Sequence, residues 1–347
     1  MLKLVIRTLA LLALVAPRVS GAEPAKVTLV FSIDQGFGNG VVVQDDQVAL
    51  KRIITALKPL SARYRVYVLL NPMVADRKKL NSVLDTLVAG KMPFVFDVYS
   101  SDSMTLGSCA EHCKPHDPNH GISISIDDLR AYKKRCGEWL AGIRFMEVFS
   151  QDFVIRAVKT TNPEWALPCW KLPKDSFFQP ETAEKYLQFA RENSMFVQFS
   201  DWHWFAFAEW DAPQKENEAG LSALLRKYRR LVTVTYANNE PDGQSPKRLP
   251  DWEKCIAKFK NDGAAGLGLS DQSWLSNDQT CPVEDIISWA RSALDKGFGY
   301  VQFEPAWYFF KLPRGSFGLQ DYTKDAAWAD RGTATANLVA LEKALLK

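Results

Sequence analysis

An α/β barrel of eight parallel strands is the fold that this sequence predicts. Two observations lead there. Short runs rich in β-branched and aromatic residues recur along the chain, as strands buried on both faces should. Amphipathic stretches of helical period separate them, and eight strands each followed by a helix is the count of a (β/α)8 barrel.

The strand-like runs are Val27–Ile33, Arg65–Leu70, Phe94–Val98, Ile143–Phe149, Phe196–Ser200, Leu231–Tyr236, Ala265–Leu269 and Gly299–Phe303. Helical patterns fall at about residues 46–60, 77–89, 126–141, 181–193, 216–230, 251–261 and 282–296, with a last one near 333–346. In the fourth of these, Ala183, Tyr186, Leu187 and Ala190 recur at three- and four-residue spacing, giving one buried face. Pro282 suits a first helical position, Glu284 and Asp285 suit a first turn, and Lys296-Gly297 makes a natural stop. A doubly wound sheet is the rival architecture, and it usually carries a glycine-rich turn after its first strand. The turn here, Asp34-Gln35-Gly36-Phe37-Gly38-Asn39-Gly40, has neither the G-x-G-x-x-G spacing nor a P-loop. No internal repeat or interdomain linker breaks the pattern, so one barrel domain over residues 23–347 is expected.

Residues 1–22 read as a secretory signal. Lys3 and Arg7 supply the positive start, Leu9 to Ala16 the short apolar core, and Ser20-Gly21-Ala22 the small residues for cleavage. An uncleaved anchor is the alternative, but the core is short of the ~20 apolar residues that span a bilayer. The expected mature protein is secreted or periplasmic, with no membrane partner after cleavage. The leader holds Lys3, Arg7 and Arg18 and no acid, so its removal takes the formal net charge from +3 to zero. A neutral chain gives no basis for a nucleic-acid partner. Six cysteines (Cys109, Cys113, Cys136, Cys169, Cys255 and Cys281) permit up to three disulfides in an exported protein, and at least one is expected.

The chemistry stands at the strand ends, which converge on one face of a barrel. Strand one runs into Asp34, strand three into Asp97, and strand four contains Glu147. Strand five leads to Asp201-Trp202-His203-Trp204, strand six to Asn239 and Glu240, strand seven to Asp271 and Trp274, and strand eight to Glu304 and Trp307. Glycosidic bond cleavage needs one carboxylic acid to protonate the leaving oxygen and a second carboxylate as base or nucleophile. Aromatic faces offer flat apolar platforms to sugar rings, and Asp, Asn and His bond the hydroxyls. Glu147, Asp271 and Glu304 are therefore the catalytic candidates. Asp34, Asp97, Asp201, Trp202, His203, Trp204, Asn239, Glu240, Trp274 and Trp307 are the substrate-binding candidates. Each taken singly has a plainer reading: Asp34 and Asp97 as braces of the barrel mouth, Asp201, Glu240 and Asp271 as caps, each tryptophan as core.

Cys109, His112, Cys113, His116 and His120 form a second constellation. Its spacing fits no paired zinc pattern strictly, and disulfides are the expected use of the cysteines, so no metal and no cofactor is assigned. No G-x-S-x-G elbow supports a serine hydrolase.

With those strand ends in view, the chain resembles the catalytic domain of glycoside hydrolase family 98. The likeness lies in Ser32-Ile33-Asp34, in Ile143 to Gln151 around Glu147, in Gln198 to Trp204, and in the late acidic strand ends. The resemblance implies an endo-acting, inverting enzyme of β-galactoside-containing glycans. Glu147 would be its general acid, with Asp271 and Glu304 the pair that deprotonates water. Asn238-Asn239-Glu240-Pro241 departs from that pattern, and no counterpart of the family's additional C-terminal domain is expected. A retaining enzyme, with Glu147 as acid/base and a late carboxylate as nucleophile, is the mechanistic alternative. A non-catalytic carbohydrate-binding barrel and a metal-dependent hydrolase or lyase built on the Cys109–His120 loop are the functional ones. A monomer acting on an oligo- or polysaccharide is expected.

Overall fold

A computed structural model describes residues 27–33, 46–70, 77–99, 124–146, 180–202, 222–238, 266–271, 282–295, 298–303, 306–312 and 324–347. Its strands are β1 (Thr28–Ser32), β2 (Arg65–Leu70), β3 (Phe94–Tyr99), β4 (Leu140–Met146), β5 (Phe196–Trp202), β6 (Val232–Asn238), β7 (Gly266–Asp271) and β8 (Tyr300–Phe303). All neighbours pair in parallel, and β8 pairs with β1, so the sheet closes into a barrel in chain order. The helices are α1 (Gln47–Leu57), α2 (Arg77–Ala89), α3 (Ile126–Cys136), α4 (Pro180–Glu192), α5 (Val283–Asp295), the short α6 (Ala306–Phe309) and α7 (Ala336–Leu345). Residues 222–227 are also helical. The helix expected at 251–261 lies outside the described residues, as does the leader 1–22.

Several boundaries move from the sequence expectation; β6 runs on to Asn238 and β7 to Asp271. The helix expected to reach residue 141 stops at Cys136, because Gly137 takes φ 58° at its end, a conformation that glycine adopts without a Cβ penalty. The chain thereby frees Leu140 to start β4 earlier than its apolar run suggests. β5 continues to Trp202, so Asp201 and Trp202 are strand residues.

Strand side chains alternate, and register partners in a parallel sheet share a face. Leu29 and Phe31, Val66 and Val68, Phe94 and Phe96, Ile143 and Phe145, Val197 and Phe199, and Val301 and Phe303 join the outer core beneath the helices. At the closing seam, Phe31 of β1 stacks on Phe303 of β8 with ring centres 5.0 Å apart, and Phe309 of α6 meets both edgewise. Asp46 caps α1 by accepting from the backbone N–H of Val48 and Ala49, and it is ion-paired with Arg331. Arg52 donates to the carbonyls of Ala329 (2.7 Å) and Arg331 (3.0 Å). The C-terminal segment thus braces the first helix. Gly332, at φ 80°, is pressed so closely on α1 that a Cβ there would stand 2.4 Å from the Ala49 carbonyl oxygen.

Among the described residues no helix is long and apolar enough to cross a membrane. Cys136 is a free, buried thiol, and burial pushes its pKa up to about 11. That leaves five cysteines and hence at most two disulfides within the chain; all five lie outside the described residues.

Candidate active site

The barrel interior is built in two layers of different chemistry. Toward the N-terminal ends of the strands, Val30, Leu69, Val95 and Tyr300 pack with Tyr67 and Phe196. Tyr67 stacks on Phe196 at 5.3 Å, and Phe196 meets Tyr300 edgewise at 6.1 Å. Burial raises the Tyr67 phenol above its ordinary pKa. Gly142 belongs to this layer by register with Phe196 and Val95. Its missing side chain leaves room for the Phe196 ring, whose nearest atom would stand 2.6 Å from a Cβ. This end of the barrel is filled.

Two residues further along, the interior turns polar on five strands. Val30 is succeeded by Ser32, Val95 by Asp97, Gly142 by Arg144, Phe196 by Gln198, and Tyr300 by Gln302. All five polar residues are buried. Asp97 and Arg144 are only 2% and 4% exposed and form a two-pronged pair. Arg144 Nε donates to Asp97 Oδ1 at 3.0 Å, and Nη2 donates to Oδ2 at 2.5 Å. Such fork-to-fork geometry fixes both planes as well as neutralising the charges. Arg144 is also in register with Gln198. A second set of bonds crosses the barrel: Gln198 Nε2 donates to Gln302 Oε1 at 2.7 Å, and the Tyr300 hydroxyl is bonded to the same glutamines.

This layer lies directly below the strand ends to which the sequence assigns the chemistry. Asp97 is one of those candidates, and both of its oxygens are taken by Arg144. Trp202 ends β5 at a register position shared with Ala237, on the alternation of Gln198 and Ser200. Asp201 is in register with Tyr236. Asp271 ends β7 in register with Asn238 and with Phe303 of the outer core. Trp307 is half-buried on α6 and packs against the outer core, its ring 6.2 Å from that of Tyr308. Glu147 follows the last residue of β4 in sequence, and Glu304 the last residue of β8. Glu147, Glu304, Asp34, His203, Trp204, Asn239, Glu240 and Trp274 lie outside the described residues, as does the Cys109–His120 segment. Among the described residues no cluster of His, Cys, Asp and Glu could hold a metal ion.

Sequence reasoning missed Arg144, Gln198 and Gln302. A signal was present: Phe196-Val197-Gln198-Phe199 and Tyr300-Val301-Gln302-Phe303 repeat one pattern, an aromatic, valine, glutamine and phenylalanine. In the structure the two aromatics meet and the two glutamines bond.

No family model matches the chain, and no curated protein matches it. Solved structures that resemble it include the family 1 β-glucosidase from Thermotoga maritima, at 11% identity and TM-score 0.46, covering 89% of this chain and 88% of that one. A GH5 cellulase from an Icelandic hot spring isolate stands at 11% and 0.46, covering 82% and 76%. Hydroxymethylglutaryl-CoA lyase from Pseudomonas aeruginosa stands at 12% and 0.44, covering 93% and 92%. Glycosidases and a lyase stand together at similar distance, so this likeness selects no chemistry.

Proposed function

We propose that the chain is a (β/α)8-barrel glycoside hydrolase, exported after loss of residues 1–22 and acting as a monomer in the periplasm or outside the cell. The observation that carries the reading is the polarity gradient inside the barrel. The interior of such a barrel is commonly filled with branched apolar side chains. Here the end nearest the strand C-termini carries a charged pair and two amides, at strand ends whose following sequence supplies carboxylates and tryptophans.

In this reading the family 98 likeness supplies the roles. Glu147 protonates the glycosidic oxygen as its bond to the anomeric carbon breaks. A water held by Asp271 and Glu304 attacks that carbon from the opposite face and gives up its proton to the pair, so the product anomer is inverted. Trp202, Trp204, Trp274 and Trp307 present faces to sugar rings, while Asp34, Asp201, His203, Asn239 and Glu240 bond hydroxyls. The substrate class is a glycan containing β-galactosides, cut internally. Inversion requires the catalytic carboxyls ~6.5–9.5 Å apart, against ~5–5.5 Å for retention.

The test is cleavage of a panel of defined oligosaccharides by the purified protein, with the anomeric proton followed by NMR. Glu147→Gln should leave the fold intact and lower turnover by about a hundredfold or more. Near-normal activity in a folded Glu147→Gln protein would remove Glu147 from the mechanism. Initial retention of configuration would recast a late carboxylate as nucleophile.

A further inference from the structure

We infer that Arg144, locked by Asp97, is a positioning residue for catalysis, and that the polar row Asp97, Arg144, Gln198 and Gln302 forms the floor that sets the strand ends bearing the chemistry. The inference rests on the glycosidase reading and deepens it. Asp97 thereby passes from a sugar ligand to the anchor of that floor.

The first ground is cost. Burying an ion pair away from water often gives no net stability, and well-packed apolar residues in its place are commonly as stable or more so. The same barrel shows that apolar filling works, since its lower layer is built that way two residues away on the same strands. A floor of charge and amide is thus an expense that stability alone does not explain.

The second ground is where the bonds run. The fork between Asp97 and Arg144 ties β3 to β4, the strand that leads into Glu147. Asp97, Arg144 and Gln198 occupy one register row across β3, β4 and β5. From Gln198 the bond to Gln302 spans to β8, the strand that leads into Glu304. β4, which leads into the proposed acid, is thus held by the fork, and β8, which leads into a proposed base residue, by the paired amides; the two sets of bonds adjoin where Arg144 and Gln198 stand in register on neighbouring strands. Directional bonds hold a separation to tenths of an ångström, and a 1 Å misplacement of catalytic groups costs ~10²-fold in rate.

The experiment replaces the pair as a unit. In Asp97→Leu/Arg144→Met both charges of the fork are removed together, so the melting temperature should stay near that of the parent. With a fluorophore-labelled β-galactoside-containing oligosaccharide that the parent cleaves, kcat should fall about a hundredfold while KM moves less than about threefold. Arg144→Lys keeps charge and reach but not the fork, and should fall between the two. A double variant that is folded and has parental kcat overturns the inference and leaves the glycosidase reading standing. Should that protein fail to fold, Gln198→Met/Gln302→Met asks the same question on the other arm of the floor, with the same two outcomes. A parent that cleaves no member of the panel overturns the glycosidase reading itself and takes the inference with it; that result is seen before any substitution is made.

Discussion

The two ends of the barrel interior solve one packing problem in opposite ways. At the N-terminal end, Tyr67, Phe196, Val30 and Val95 fill space by shape, with Gly142 hollowed out to admit a ring. Two residues along the same strands, Asp97, Arg144, Gln198 and Gln302 fill it by directed bonds. The first arrangement rests on shape, whereas the second rests on the geometry of each bond. Under the proposed function the contrast assigns the working end to the polar layer, because precision is needed most where atoms react.

The largest effect should come from breaking the polar layer on one side only. Arg144→Met alone removes the fork from the buried Asp97 carboxylate and should cost ~3–5 kcal/mol in denaturant unfolding. Adding Asp97→Leu should regain most of it. Equal destabilisation by the single and double variants would mean that the pair contributes strength rather than geometry.

A smaller loss is expected in the apolar layer. Gly142→Ala drives a methyl group into the Phe196 ring and should cost ~1–3 kcal/mol, with turnover unchanged at temperatures where the variant is folded. A fall in kcat as large as that of the floor variants would abolish the division of labour between the layers. Tyr300→Phe probes the boundary, since the ring packs in the lower layer while the hydroxyl reaches the glutamines of the upper one. Its loss should cost ~0.5–1.5 kcal/mol.

The smallest effect serves as a control outside both layers. Burial raises the Glu342 carboxyl on α7 above its ordinary value. Folding therefore favours its neutral form, and the stability this brings is present below the unfolded carboxylate range and lost as pH rises through the folded value. Glu342→Gln should raise the melting temperature slightly near pH 7 and leave it unchanged near pH 4. Activity should not respond at either pH.

Much of the fold was legible from the chain. Arg65–Leu70 and the helix over 77–89 stand where the sequence placed them, because a doubly buried strand must be a short apolar run and a surface helix must carry a stripe. The parallel order with β8 returning to β1 follows from that alternation. The candidate site was legible only in part. Asp97 was visible as a carboxylate at a strand end, but its partner was not, since Arg144 lies 47 residues away in sequence. Gln198 and Gln302 are separated by 104 residues, and each looks like an interruption in an apolar run.

By itself, then, the sequence determined the strands and the described helices, since these depend on local period and covalent order. Only the tertiary structure decided which polar residues meet inside the barrel. Closure brings the side chains of distant strands together across its axis, and no local pattern encodes that distance.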